Sequence, residues 1–103
     1  MSRTVSNKIE LEGRVITQPE LRVMPSGNPL LRLRVDCGER AGELEMAIVM
    51  VGGEARMLAE QLRVGSVIRL AGTLRVQGGR PMGGASAAIE IAAHSICQLP
   101  RAY

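Results

Sequence analysis

Only one stretch of the chain, GGEARMLAEQLRVG at positions 52–65, spaces its apolar residues for a helix, and nearly every other apolar run alternates. Ala55, Leu58, Ala59 and Leu62 share one helical face, Glu54 stands in the first turn where the helix dipole favours negative charge, and Gly65 is placed to end the helix. With 103 residues, 46% of them apolar, the chain is sized for one domain spanning 1–103 with one core. That lone helix must therefore pack on a sheet made from the rest of the chain.

Five runs supply the sheet. In NKIELEGRV, from Asn7, Ile9, Leu11 and Val15 point one way and Lys8, Glu10, Glu12 and Arg14 the other. Gly13 takes an inward position, the mark of a bulge or a sharp barrel bend. The strand continues past Pro19 as a second arm, with Leu21 and Val23 on one side and Arg22 and Met24 on the other. Met24-Pro25-Ser26-Gly27 is a reversing turn, Pro25 presetting φ and Gly27 free to adopt positive φ. From Pro29 to Cys37, Leu31, Leu33, Val35 and Cys37 face inward and Arg32, Arg34 and Asp36 outward. GERAGE, 38–43, is a polar connection to a third strand, Leu44 to Val51. That strand is apolar on both faces from Met46, so it is covered twice, by the core and by either a partner subunit or a packed helix. Ser66 to Val76 alternates again, setting Ile68, Leu70 and Leu74 against Arg69, Thr73 and Arg75. Gln77 to Ser86 reads as a long hairpin loop carrying Arg80, and Ala87 to Leu99 is the fifth strand.

Three strands, a helix and two strands is the order of the OB-fold, an all-β five-stranded Greek-key barrel with one short helix between strands three and four. Such barrels bind oligonucleotides or oligosaccharides on the face of strands two and three and with their hairpin loops.

Charge gives that face a direction. The net charge is only +3, yet twelve of the thirteen basic residues are Arg, Lys8 being the exception. A planar five-donor fork suits phosphates and stacks on bases. A GC-rich genome would produce the same bias without function, and composition does not separate the two. Arg32 and Arg34 on the second strand, Arg75 on the fourth and Arg80 in the long loop would line one groove, with Arg22 and Arg40 at its margins. Alternatively these arginines solvate a sheet face and pair with Glu10, Glu12, Asp36 and Glu45. The usual stacking component is missing, because the chain has no Phe, no Trp and one Tyr, Tyr103. Any stacking falls to guanidinium planes; Met24, Met46, Met50 and Met82 offer soft apolar contact to bases, but Met46 and Met50 read as buried filler, and for Met24 and Met82, in turn and loop, the sequence favours neither role.

Catalysis finds no support. His94 stands late in a strand without an acid or thiol at motif spacing and reads as a satisfied structural histidine. The Gly pairs 52-53, 78-79 and 83-84 lack the context of phosphate loops. No metal or cofactor set emerges. Cys37 and Cys97, in strand-like apolar surroundings, read as buried thiols of a reduced compartment. No apolar leader or membrane-length run is present in the sequence, and a cytoplasmic location is expected.

Four pieces, NKIELEGRV, TQPELRVMPSGNPLLRLRVDC, VGSVIRLAGTL and IEIAAHSICQL, in this order, resemble the primosomal replication protein N (PriB) family, small relatives of bacterial single-stranded DNA-binding protein. The resemblance implies an OB-fold homodimer without catalytic activity. It would bind single-stranded DNA and stabilise a complex of DNA with a PriA-like primosomal helicase when replication machinery is reassembled. It matches the family's first basic arm residue to Arg22 and the basic residue after strand two to Gly38, with Arg40 nearby. The family's loop lysines are represented loosely by Arg80, and an aromatic of strand three falls near Leu44. General single-stranded DNA-binding proteins carry a long acidic C-terminal tail, whereas this sequence reads Arg101-Ala102-Tyr103 at its end, which points to the primosomal relatives. The other reading is an OB-fold adaptor that contacts replication proteins and has little DNA affinity of its own.

Overall fold

Alternation becomes a closed ring in the computed structural model, which describes residues 5–77 and 88–100. The elements are β1 (Ile9–Val15), β2 (Glu20–Val23), β3 (Pro29–Asp36), β4 (Glu45–Val51), α1 (Gly53–Gln61), β5 (Val67–Val76) and β6 (Ile89–Gln98). β1 pairs antiparallel with β5, β5 with β6, and β4 with β3, while β6 lies parallel to β4. Arg14↔Asp36 and Val15↔Val35 then close β1 onto β3. This is the OB barrel expected from the element order. The arm past Pro19 is β2, which prolongs the path of β1 along the same edge of β3.

The break between β1 and β2 is bridged rather than open. Ile16 donates its N–H to the Arg34 carbonyl at 3.0 Å, and the Thr17 hydroxyl accepts the Arg34 N–H at 2.9 Å. A side-chain oxygen thus stands where a neighbouring strand would offer a carbonyl. Gly13 marks the closure of the ring. A Cβ there would lie 2.9 Å from Cys37 Sγ and 3.1 Å from the Asp36 carbonyl, so β1 approaches β3 only because the side chain is missing. The β1–β5 register runs unbroken through Gly13, which makes the position a bend and not a bulge. At the hairpin tip Gly27 has φ +92 and donates to the Met24 carbonyl at 2.8 Å, as the Pro-Ser-Gly sequence requires.

The inward residues of β3, Leu31, Leu33 and Val35, meet Ile48, Met50, Ile68, Leu70, Ile91 and Ile96 in one buried cluster. Ala55, Leu58 and Leu62 add the apolar face of α1, which packs against β2, β3 and β4 and plugs one end of the barrel. Replacing a residue such as Leu62 by Ala would cost about 2–5 kcal/mol. The helix stops earlier than Gly65: Leu62 is already extended, and Gly65 lies in the next turn, donating its N–H to the Val15 carbonyl at 2.8 Å.

One other expectation needs correction. Cys97 is exposed and only Cys37 is partly buried, because Cys97 alternates with inward Ile96. Val23 shares the Leu21 face of β2, as the alternation has it, and is 64% exposed, since β2 is an edge strand reaching beyond the core. His94 is exposed. The β5–β6 register passes from Ala71↔Ser95 to Gly72↔Ala93, so His94 is the extra residue of a bulge.

Candidate nucleic-acid interface

The register aligns the outer face in rows that cross the sheet. Arg34 on β3 lies opposite Ala47 on β4, Ala47 opposite Glu90 on β6, and Glu90 opposite Arg75 on β5. The next row runs Arg32, Val49, Ala92, Thr73, and Glu20 of β2 extends it beside Arg32. From β3 to β5 each row spans three strand gaps, roughly 14 Å. Ala47 is the small residue between Arg34 and Glu90 in the first row, and Ala92 the small residue between Val49 and Thr73 in the second.

This arrangement hollows the face. A cavity of about 240 Å³ is bordered by Arg32, Arg34, Ala47, Val49, Glu90 and the break residue Thr17, among others. A second depression, about 480 Å³, shares Val49 and continues over Thr73, Arg75, Ala92 and His94 toward the start of α1. The two-sided apolar character of β4 follows from this. Ile48 and Met50 face the core, where the helix joins them, while Ala47 and Val49 are the groove floor.

Arg32 and Arg34 are brought together on this face as their alternation required. Arg34 Nη2 stands 3.8 Å from Glu45 Oε2, both side chains half exposed, a contact worth at most about 1 kcal/mol. Arg32 makes no ion pair among the described residues. Arg75 donates from Nε to Glu90 Oε1 at 3.0 Å and so reaches the same row from the far side. Arg22 lies on β2, exposed, 3.5 Å from Glu20. Arg40 sits in the β3–β4 connection outside both depressions, its N–H donating to Glu43 Oε2 at 2.9 Å. Arg80 and Met82 lie outside the described residues.

The acids do not all serve as the sequence pattern proposed. Glu45 meets Arg34, and Glu12 holds Arg69 on another wall through Nε at 3.0 Å and Nη2 at 2.6 Å. That bond raises the Arg69 pKa, with the Glu12 charge adding to it. Asp36 instead organises its own loop, accepting N–H groups from Gly38 at 3.0 Å, from Gly42, and from Leu44 at 3.4 Å. Hydrogen bonds from Gly42 and then Gly38 hold its carboxyl below the usual Asp range, against a small opposing effect of burial. Thr17, Ala47 and Glu90 were not singled out as site residues. A lone carboxylate inside the apolar run IEIAA was the available signal for Glu90. No described group of three or more His, Cys, Asp or Glu is placed to hold a metal, and no described helix is long and apolar enough to cross a membrane.

A closed Greek-key barrel with a grooved, arginine-edged outer face defines an oligonucleotide-binding type of domain. The chain belongs to the Single-strand binding protein family, whose model matches residues 6–97. Among solved structures it is similar to the SSB domain of a Synechococcus sp. protein, with TM-score 0.73 and 19% identity over 92% of this chain and 98% of that one. It is likewise similar to a small single-stranded DNA-binding protein from Streptomyces coelicolor, with TM-score 0.74 and 20% identity over 92% and 95%. The family is broader than the primosomal branch that the sequence resembles.

Proposed function

We propose that the protein binds single-stranded DNA across the outer face of β3, β4 and β6, with Arg32 and Arg34 as the principal phosphate contacts. The observation that carries this is their shared position at the rim of one groove whose floor, Ala47 and Val49, leaves room for a strand. No Phe, Trp or Tyr is found among the described residues, so affinity rests mainly on charge and falls steeply with salt. An oligo-dT titration across a salt series tests it. Charge reversal at Arg32 or Arg34 is expected to weaken binding at low salt and to lower the salt slope by about one per lost contact. Unchanged binding in both variants would remove the groove from the function, as would equal affinity for single and double strands.

Within that reading we place the protein in replication restart, as a homodimer stabilising a helicase on DNA. The support is the resemblance of four ordered sequence segments to the primosomal family. Co-purification with a primosomal helicase in a DNA-enhanced manner is expected, together with a dimer mass by light scattering. A monomer at micromolar concentration would count against it. One observation favours the adaptor reading: Arg22, Arg34 and Arg75 each face a carboxylate, which lowers the charge available to phosphates. Helicase capture without any measurable oligonucleotide binding would select that alternative.

A further inference from the structure

We propose that Glu90 gives this face a base preference, its carboxylate accepting a hydrogen bond from the exocyclic amino group of a base lodged over Ala47. This rests on the single-strand reading above and adds a specificity to it. Glu90 is the one charged residue among the buried polar groups of the described chain, 3% exposed, yet it belongs to the outer face and borders the groove. A carboxylate in such a place is costly unless it is paired. Arg75 engages Oε1 through Nε, and among the described residues no group bonds Oε2, which leaves that oxygen as the acceptor for a ligand.

The surroundings select the ligand. Directly across the strand gap, Ala47 removes side-chain bulk between Arg34 and Glu90. The resulting 240 Å³ space falls below the roughly 300 Å³ at which small-molecule pockets begin, a scale for one planar ring. On the Glu90 side the carboxylate and its bonded Arg75 offset one another, while on the β3 side Glu20 is turned to Arg22, Arg34 holds Glu45 only at 3.8 Å, and Arg32 makes no ion pair among the described residues. The strand's backbone therefore follows β3, and its bases point toward β6. Cytosine offers an N4 amino group there, and adenine and guanine offer theirs. Thymine offers one ring N–H between two carbonyl oxygens whose lone pairs oppose a carboxylate.

The test compares oligo-dC with oligo-dT, and a dT strand bearing spaced guanines with the same strand bearing hypoxanthine, which lacks only the amino group. The intact protein is expected to bind dC about tenfold more tightly than dT, and guanine strands more tightly than hypoxanthine strands, as a hydrogen bond to a charged acceptor implies. Glu90→Gln, whose amide both donates and accepts, should reduce the dC preference to less than about twofold while retaining dT binding. Ala47→Leu leaves Glu90 and the core in place and fills the space. Because Ala47 is groove floor, some affinity for every strand is expected to go, but the ratio of dC to dT affinity should fall to less than about twofold, which keeps the proposal open to refutation should the Glu90 variant fail to fold. Measurable but equal affinities for all strands in the unaltered protein would overturn the proposal and leave the single-strand reading intact. Absence of binding to every strand would overturn that underlying reading instead.

Discussion

Asn7 holds Leu74 with both ends of its side-chain amide, Nδ2 donating to the Leu74 carbonyl at 2.8 Å and Oδ1 accepting the Leu74 N–H at 3.0 Å. Backbone pairing of β1 with β5 stops at Ile9↔Gly72, so one side chain supplies the next pair of ladder bonds. It anchors β5 immediately before Arg75, the residue that joins Glu90. Asn7→Ala should lower stability by about 1 kcal/mol, as loss of exposed but reciprocal hydrogen bonds implies. Hydrogen exchange at the Leu74 amide should quicken in the same variant. Asn7→Asp keeps an acceptor for the N–H but sets a carboxylate against the Leu74 carbonyl, and is expected to be no more stable than Ala at neutral pH. Unaltered Leu74 exchange in Asn7→Ala would show that the amide does not hold the strand.

Asp36 makes the β3–β4 connection pH-sensitive. Its N–H donors, Gly42 first, then Gly38 and Leu44, together with the nearby Arg14 charge, favour the ionised form in the folded chain and depress its pKa. Between the folded and unfolded pKa values the unfolded chain binds more protons, so stability rises with pH there. The contribution is complete above the ordinary Asp value of about 3.9 and disappears as pH falls through the lower folded value. Urea midpoints measured from pH 7 down to pH 3 should fall more steeply for the native protein than for Asp36→Asn. Parallel pH profiles would mean that the loop does not depend on the carboxylate.

How much of this was legible in the sequence differs between the barrel and its face. Leu31, Leu33 and Val35 announce their side of β3 because period two leaves each strand a single buried set, and Ala55, Leu58 and Leu62 do the same at helical period. The positions of Arg32 and Arg34 follow from that alternation. Their companions do not. Ala47 and Glu90 meet through the parallel register of β4 and β6, strands far apart in sequence, and no local pattern states which residue of one faces which of the other. Asp36 has the alternation of a sheet-face acid, but backbone N–H groups of the following loop compete for its carboxylate and win. At His94 the extra residue of the bulge interrupts the alternation locally, and the shift is visible only once the β5 partner residues are known.

The two thiols should separate cleanly by reactivity. Burial first, and then the Asp36 charge, push the Cys37 pKa up, which keeps its thiol protonated at neutral pH. Cys97 stands exposed on β6, one residue beyond the core-facing Ile96. Titration of the folded protein with Ellman's reagent is expected to show one fast and one slow equivalent. Cys97→Ser should abolish the fast phase, and denaturant should merge the two. A single phase of two equivalents in the native protein would contradict the enclosure of Cys37 against β1.

Glu45 tempers the groove. Its carboxylate, 3.8 Å from Arg34, lies on the outer face at the end of β4, opposite Asp36 in the β3–β4 register. An exposed pair of this kind contributes about 0.2–1 kcal/mol, and its charge also repels an approaching phosphate. Glu45→Gln keeps the side chain's size and removes both effects, so affinity for single-stranded DNA should rise about two- to fivefold at low salt. The gain should shrink as salt is added, because screening weakens the contact that the substitution removes. In an Arg34→Gln background the same substitution should give a smaller gain, since only the direct repulsion of phosphate is left to relieve. An equal gain in both backgrounds would show that Glu45 acts on the DNA alone and leaves Arg34 free.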